Sequence, residues 1–256
     1  MKYPKYKLAF PGKHVLLFNG HSLSQYDKYN PLNLPLNTVR VRTNDGQPPI
    51  SSSYTKYESA TLVQGTTDVY DVYKSGHDFT RLLDGSTNVV EVLGANTEDT
   101  THMYYMFGGC NLLSSLAVFD TSTVVNFSYM FDKCTSLSSA PLFDTSKATT
   151  VRGMFNQCTS LTSVPLFDTS NVEQIGYMLW GCTSLNYVPL FNTTKVTNMN
   201  EMLFNCFNVQ SGALDLYNQA STQTTAPSSH NGAFRNCGRD TQNGSAELSQ
   251  IPSDWK

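Results

Sequence analysis

Met106, Met130, Met154, Met178 and Met202 recur every 24 residues, and Cys110, Cys134, Cys158, Cys182 and Cys206 follow each at the same offset. A strict period of this length means one supersecondary unit per copy, each too small to bury its own apolar face and so stacked on its neighbours around a shared core. Four copies are clean, beginning at Met106, Met130, Met154 and Met178. The frame extends upstream, where Leu82, Leu83, Val89, Val92, Asn96, Thr97 and Met103 fill the same slots and Ser86 replaces the cysteine. Downstream, Cys237 lies 31 residues after Cys206, so seven residues are inserted, expected around Gln219 to His230.

Within a copy, Leu161, Val164 and Leu166 end in the period-two spacing of a short parallel strand, as do Leu185, Val188 and Leu190. Val172, Ile175, Met178, Leu179 and Cys182 then recur at steps of three and four, the spacing of one helix face. Asp168, Thr169 and Ser170 supply N-cap acceptors, and Ser170 with Glu173 has capping-box spacing. The predicted fold is an α/β repeat solenoid, with leucine-rich-repeat-like short parallel strands plus short helices, preceded by a small β-rich or extended N-terminal module. Helices are wider than strands, so the strand face would curve inward. Pro141, Pro165 and Pro189 cannot donate to a ladder, which predicts an interrupted sheet at their column.

Two regions follow: 1–81, an anchoring arm or small β module, and 82–256, the repeats with a C-terminal cap. The first holds eight of the 14 tyrosines and a strand-like piece, Thr38 to Thr43, before the turn signal Asn44-Asp45-Gly46. In the cap, Ser245 to Gln250 reads as one or two helical turns, with Ile251, Pro252 and Trp255 covering the last copy.

The net charge of -3 conceals an asymmetry, because residues 1 to 50 carry seven Lys or Arg against two acids. Such a head steers toward acidic surfaces, but no cluster in it is dense; a solvated face accounts for it, and no nucleic-acid partner is expected. No stretch is apolar enough to span a membrane, and the longest early apolar run, His14 to Phe18, falls short of a secretory signal. If Met1 is the native start, synthesis and folding in a cytoplasm are expected.

Five of six cysteines share one repeat slot and none forms a C-x-x-C pair, so buried free thiols are expected rather than disulfides or a metal site. Asp120, Asp144, Asp168 and Asn192 form a column that reads as local caps; a glycosidase pair or a calcium ladder is the alternative. A homogeneous column lacks the unlike environments that acid and base roles need. His14, His21, His77, His102 and His230 have no metal-binding or catalytic spacing, so no enzyme activity, metal or cofactor is expected.

Phe119, Phe143, Phe167 and Phe191 stack beside the proline column, either plugging the core or offering an aromatic platform. Tyr187 stands where neighbouring copies carry Ser115, Ser139 and Ser163, and Trp180 where they carry Gly108, Asp132 and Asn156. These six residues, Tyr187, Trp180 and the four phenylalanines, form the candidate binding surface.

The string M-F-x-x-C-T-S-L-x-x-x-P-L-F-D-T-S-x-V at Met154 to Val172, nearly repeated at Met130 and Met178, resembles the BspA-like leucine-rich repeat surface proteins of bacteria, including the mycoplasma-type lipoprotein repeat. The resemblance covers about residues 82 to 237 and implies adhesion, host binding or protein interaction without enzymatic activity. Such proteins are usually exported and often lipid-anchored, whereas this sequence shows neither a signal nor a cysteine before Cys110. A recognition or attachment protein displayed on a bacteriophage particle is therefore expected, with a bacterial cell surface or secretion as the alternative location. The N-terminal region would contact other virion or surface proteins, and the repeats a host-surface protein or glycan. A purely structural virion fibre or decoration subunit is the second functional reading, and either allows a homo-oligomer.

Overall fold

The computed structural model describes Leu32 and residues 34–50, 57–224 and 226–256. The α/β repeat solenoid is not what the chain forms. Its strands, β1 (Thr38–Thr43), β2 (Ser59–Leu62), β3 (Val69–Tyr73), β4 (Val89–Asn96) and β5 (Ser115–Leu116), make one mixed sheet in the order β2-β3-β1-β4-β5. Among the described residues the only α-helices are short, α1 (Ala213–Ser221) and α2 (Gln242–Gln250), and both follow the clean copies. With no helix inside a copy, the argument for an inward-curving strand face also lapses.

The helix prediction failed because two backbone patterns share one apolar spacing. Met103, Met106, Phe107, Cys110 and Leu113 are fully buried, as one helix face would be. Yet Met106, Gly108 and Cys110 donate three residues back, to Met103, Tyr105 and Phe107, each at 3.1 Å. The alternate N–H groups, those of Met103, Tyr105, Phe107 and Gly109, instead donate to Asn126, Ser128, Met130 and Asp132 of the next copy at 2.7–3.1 Å. An α-helix would send every donor four residues back. Left-handed residues enforce the alternation: Tyr105 and Gly109 have φ 52° and 71°, and Tyr129, Lys133, Gly153, Gln157, Tyr177 and Gly181 repeat the pair.

These four forward bonds recur from copy to copy, ending with Met199, Glu201, Leu203 and Asn205 donating to Ser229, Asn231, Ala233 and Arg235. Parallel bridges join His102, Asn126, Thr150, Gln174 and Asn198 in register. Each cysteine thiol is buried and unpaired with another sulfur; the Sγ of Cys134, Cys158, Cys182 and Cys206 donates to the carbonyl of Phe107, Phe131, Phe155 and Leu179 at 3.0–3.2 Å. Burial pushes these thiols well above their usual pKa.

The Asp-Thr-Ser segments hold turns, not helix starts. Asp120, Asp144, Asp168 and Asn192 each accept the backbone N–H two residues on at 2.9–3.0 Å. The buried Thr121, Thr145 and Thr169 hydroxyls donate forward to the carbonyls of Asp144, Asp168 and Asn192 at 2.8–3.0 Å. Glu173 completes no capping box; its N–H donates to the Thr149 carbonyl at 2.9 Å.

Proline limits the sheet on the next side of each copy. Ala117, in the slot of Pro141, Pro165 and Pro189, donates to Val92 at 2.8 Å, and its copy alone among the four forms a two-residue strand, β5. The later copies keep single bridges, Ser139 with Ser163 and Tyr187 with Ser211.

At the leading end, β1 lies between β3 and β4, antiparallel to both, and β4 pairs parallel with β5, so an antiparallel sheet runs into the first copies. Val39, Val41, Val72 and Val92 join the common core. Arg40 makes a two-pronged bond to Asp71 at 2.6 and 2.8 Å, and Arg42 bridges Asp68 and Glu91. These two cations of the basic head are thus matched, while Lys2, Lys5, Lys7, Lys13 and Lys28, with His14 and His21, lie outside the described residues. Tyr57 and Tyr70 donate their hydroxyls to the Pro49 and Gly46 carbonyls.

The 24-residue register holds through Ser211 and resumes with the offset of 31 at Ser229, so the insertion lies between them and α1 occupies it. Gly212, with φ 95°, precedes α1 where a Cβ would fall 2.1 Å from the Val188 carbonyl oxygen. Trp255 and Ile251 are buried over the last copy, and Trp255 stacks on His230 at 4.0 Å and accepts the Phe234 N–H.

Candidate interaction surface

The Pro-Leu-Phe-Asp segment fixes which side chains reach solvent. Extended backbone sends neighbouring side chains to opposite faces, so one of Leu and Phe must point outward. Phe119, Phe143, Phe167 and Phe191 are at most 2% exposed. They stack inside, with Phe119 5.4 Å from Phe143 and Phe131 5.9 Å from Phe143. They offer no aromatic platform, which corrects their place on the candidate binding surface.

The outward side falls to Val118, Leu142, Leu166 and Leu190, exposed by 39, 61, 61 and 46%. The period-two spacing of Val164 with Leu166 and of Val188 with Leu190 predicts one shared, inward face for each pair. The structure buries Leu161 and Val164 as expected, then turns Leu166 out and Phe167 in. The missing proline donor is not the cause, because Ala117 keeps its bond to Val92 in the same slot and Val118 after it is turned out as well, with Phe119 buried. A stripe of four aliphatic side chains, one per copy, is thus the feature that the sequence reading missed.

An open depression of about 550 Å³ follows this stripe, lined by Val118, Leu142 and Leu166 and edged by Asp144 and Asp168. Asp120, Asp144 and Asp168 run alongside as a column. One oxygen of each carboxylate is taken by its turn, and none forms an ion pair among the described residues. The Ser170 N–H holds the Asp168 carboxyl below its usual pKa, so it is charged at neutral pH.

Tyr187 is 52% exposed, in the otherwise serine-bearing column of Ser115, Ser139, Ser163 and Ser211. Trp180 belongs to another column and is half-buried: it stacks on Phe204 at 5.7 Å and donates Nε1 to Glu201 at 3.0 Å. A further ladder is cationic and aromatic, with Arg81 over Tyr105, Tyr105 stacked on Tyr129 at 4.9 Å, and Arg152 over Tyr177 at 4.6 Å. Its groups are largely committed to one another.

Two other acids are buried. Asp132 accepts Asn156 Nδ2 at 2.6 Å and Asp84 pairs with Arg81, and desolvation raises the pKa of both carboxyls. Among the described residues no three His, Cys, Asp or Glu side chains converge as metal ligands, and no helix is long and apolar enough to cross a membrane.

The repeated part of the chain, over residues 77–188, 101–217 and 162–237, matches the family described as "Mycoplasma protein of unknown function, DUF285". The chain belongs to that family. Together the matches span more than half its length and take in every copy that carries the stripe. No curated protein and no solved structure matches it.

Proposed function

We propose that this family member is a non-enzymatic attachment protein, a BspA-like surface repeat carried on a bacteriophage particle or a bacterial cell surface, whose copies bind a host-surface protein or glycan. The observation that carries the reading is the exposed aliphatic stripe. A chain that buries its Phe, Met and Cys columns almost completely leaves Leu142 and Leu166 61% exposed at a position its packing does not need. Contiguous apolar surface of this kind marks interaction sites. Tyr187 adds an aromatic group of the type enriched at interfaces. The acid column has the same turn-holding role in every copy, which gives catalysis no pair of unlike groups. Residues 1–81 would mount the protein on other virion or surface proteins.

The test is binding of the purified chain to bacterial cells and to an array of bacterial glycans, compared with Leu166→Ser and Tyr187→Ala. Loss of binding in either variant, with an unchanged melting temperature, supports attachment through this face. Full binding by both variants, or no binding to any cell or glycan, refutes it.

A further inference from the structure

We infer that the aliphatic stripe and its acid column form a seat for a basic amphipathic α-helix of a partner protein, laid across the copies. The inference rests on the attachment reading and names the kind of partner it takes.

Two observations select this occupant. The first is pitch. Copies joined by in-register parallel bridges lie about 4.8 Å apart, and aromatic rings one copy apart are separated by 4.9–5.7 Å. An α-helix advances about 5.4 Å per turn. Side chains at i, i+4, i+7 and i+11 advance by nearly the same step and reach Val118, Leu142, Leu166 and Leu190 in turn, within roughly 2 Å over the four copies. An extended segment repeats its facing side chains at about 6.7 Å and slips out of register by roughly 4–6 Å over three steps. The second observation is charge. Asp120, Asp144 and Asp168 recur once per copy beside the stripe, each with one carboxylate oxygen committed to its turn. Lys or Arg on the flank of a helix, one per turn, would meet them in sequence. In the last clean copy Asn192 replaces the acid, which sets the end of the charged track.

The same asparagine supplies a clean variant. Asn192 Oδ1 accepts the Thr194 N–H at 3.0 Å just as the aspartates accept theirs. Asp144→Asn with Asp168→Asn therefore removes charge and keeps the turns.

The experiment titrates the full chain with three 16-residue peptides: Leu and Lys at helical period, Leu and Glu at the same period, and Leu and Lys in strict alternation. The helical Lys peptide is expected to bind preferentially. Leu142→Ser with Leu166→Ser weakens that binding about tenfold or more, and the double Asp→Asn variant by about two- to tenfold. Added salt shrinks the second difference. Equal binding by the alternating peptide, binding that both double variants retain, no peptide binding, or self-association of the chain that Leu166→Ser abolishes overturns the inference. Cell or glycan binding that stays sensitive to Leu166→Ser while the peptides fail removes the helix and leaves attachment standing.

Discussion

Phe143→Ala and Leu142→Ala change adjacent residues of similar hydrophobicity, and the structure assigns them opposite fates. Phe143 is 2% exposed and lies among Phe119, Phe127 and Phe131, with ring centroids 5.4–6.5 Å away. Truncating a buried phenylalanine costs about 3–5 kcal/mol, and for a chain of this size each kcal/mol lowers Tm by roughly 2–4 °C, so a fall of about 6–20 °C is expected. Leu142 is 61% exposed, so its truncation forfeits only a fraction of a full burial term, roughly 0.5–1 kcal/mol, or about 1–4 °C. Thermal unfolding followed by circular dichroism reads both. Phe167→Ala and Leu166→Ala should reproduce the contrast one copy along. A Leu142→Ala loss equal to that of Phe143→Ala, or a Phe143→Ala loss below about 1 kcal/mol, would refute the assignment of faces and with it the exposed stripe.

Three further outcomes follow from the packing. All six cysteines are buried, so at pH 8 a thiol reagent should find none in the native protein and six after denaturant; a native reaction would place a thiol outside the core. Burial raises the Asp132 carboxyl pKa, so its folded state holds a proton more tightly than its unfolded state, and stability is lost as pH rises through the folded pKa. Asp132→Asn should therefore raise Tm at pH 7, with a gain that disappears below the unfolded pKa; an equal gain at both pH values would refute a charge origin. Ala117→Pro removes the donor of the 2.8 Å bond to Val92 and should cost about 1–3 kcal/mol in urea unfolding, whereas no change would mean that β5 contributes nothing.

The sequence disclosed the period, the buried columns and several end features. The cysteine slot, the strand at Thr38–Thr43 and the cover supplied by Ile251 and Trp255 were legible because each rests on burial or on a turn signal. The local backbone was not. Steps of three and four describe an α-helix and a chain of tight turns equally well when the same side chains face inward. Gly109, Gly153, Gly181 and Asn205 were the available signal, since glycine and asparagine recurring within a supposed helix mark left-handed positions. Tyr105, Lys133 and Gln157 at equivalent positions concealed it. The stripe was hidden by a similar ambiguity, because a leucine after proline looks inward by its place in the repeat and is turned outward by the backbone.

The forward bonds give the molecule a modular growth rule. A copy that hands four N–H groups to its successor and receives the same from its predecessor can be duplicated or excised whole without stranding a donor or an acceptor. Lineages could therefore lengthen or shorten the protein in steps of about 5 Å by unequal recombination within the gene. Changes of any other size face the constraint already met between Ser211 and Ser229, where surplus residues had to be coiled aside before the register could resume.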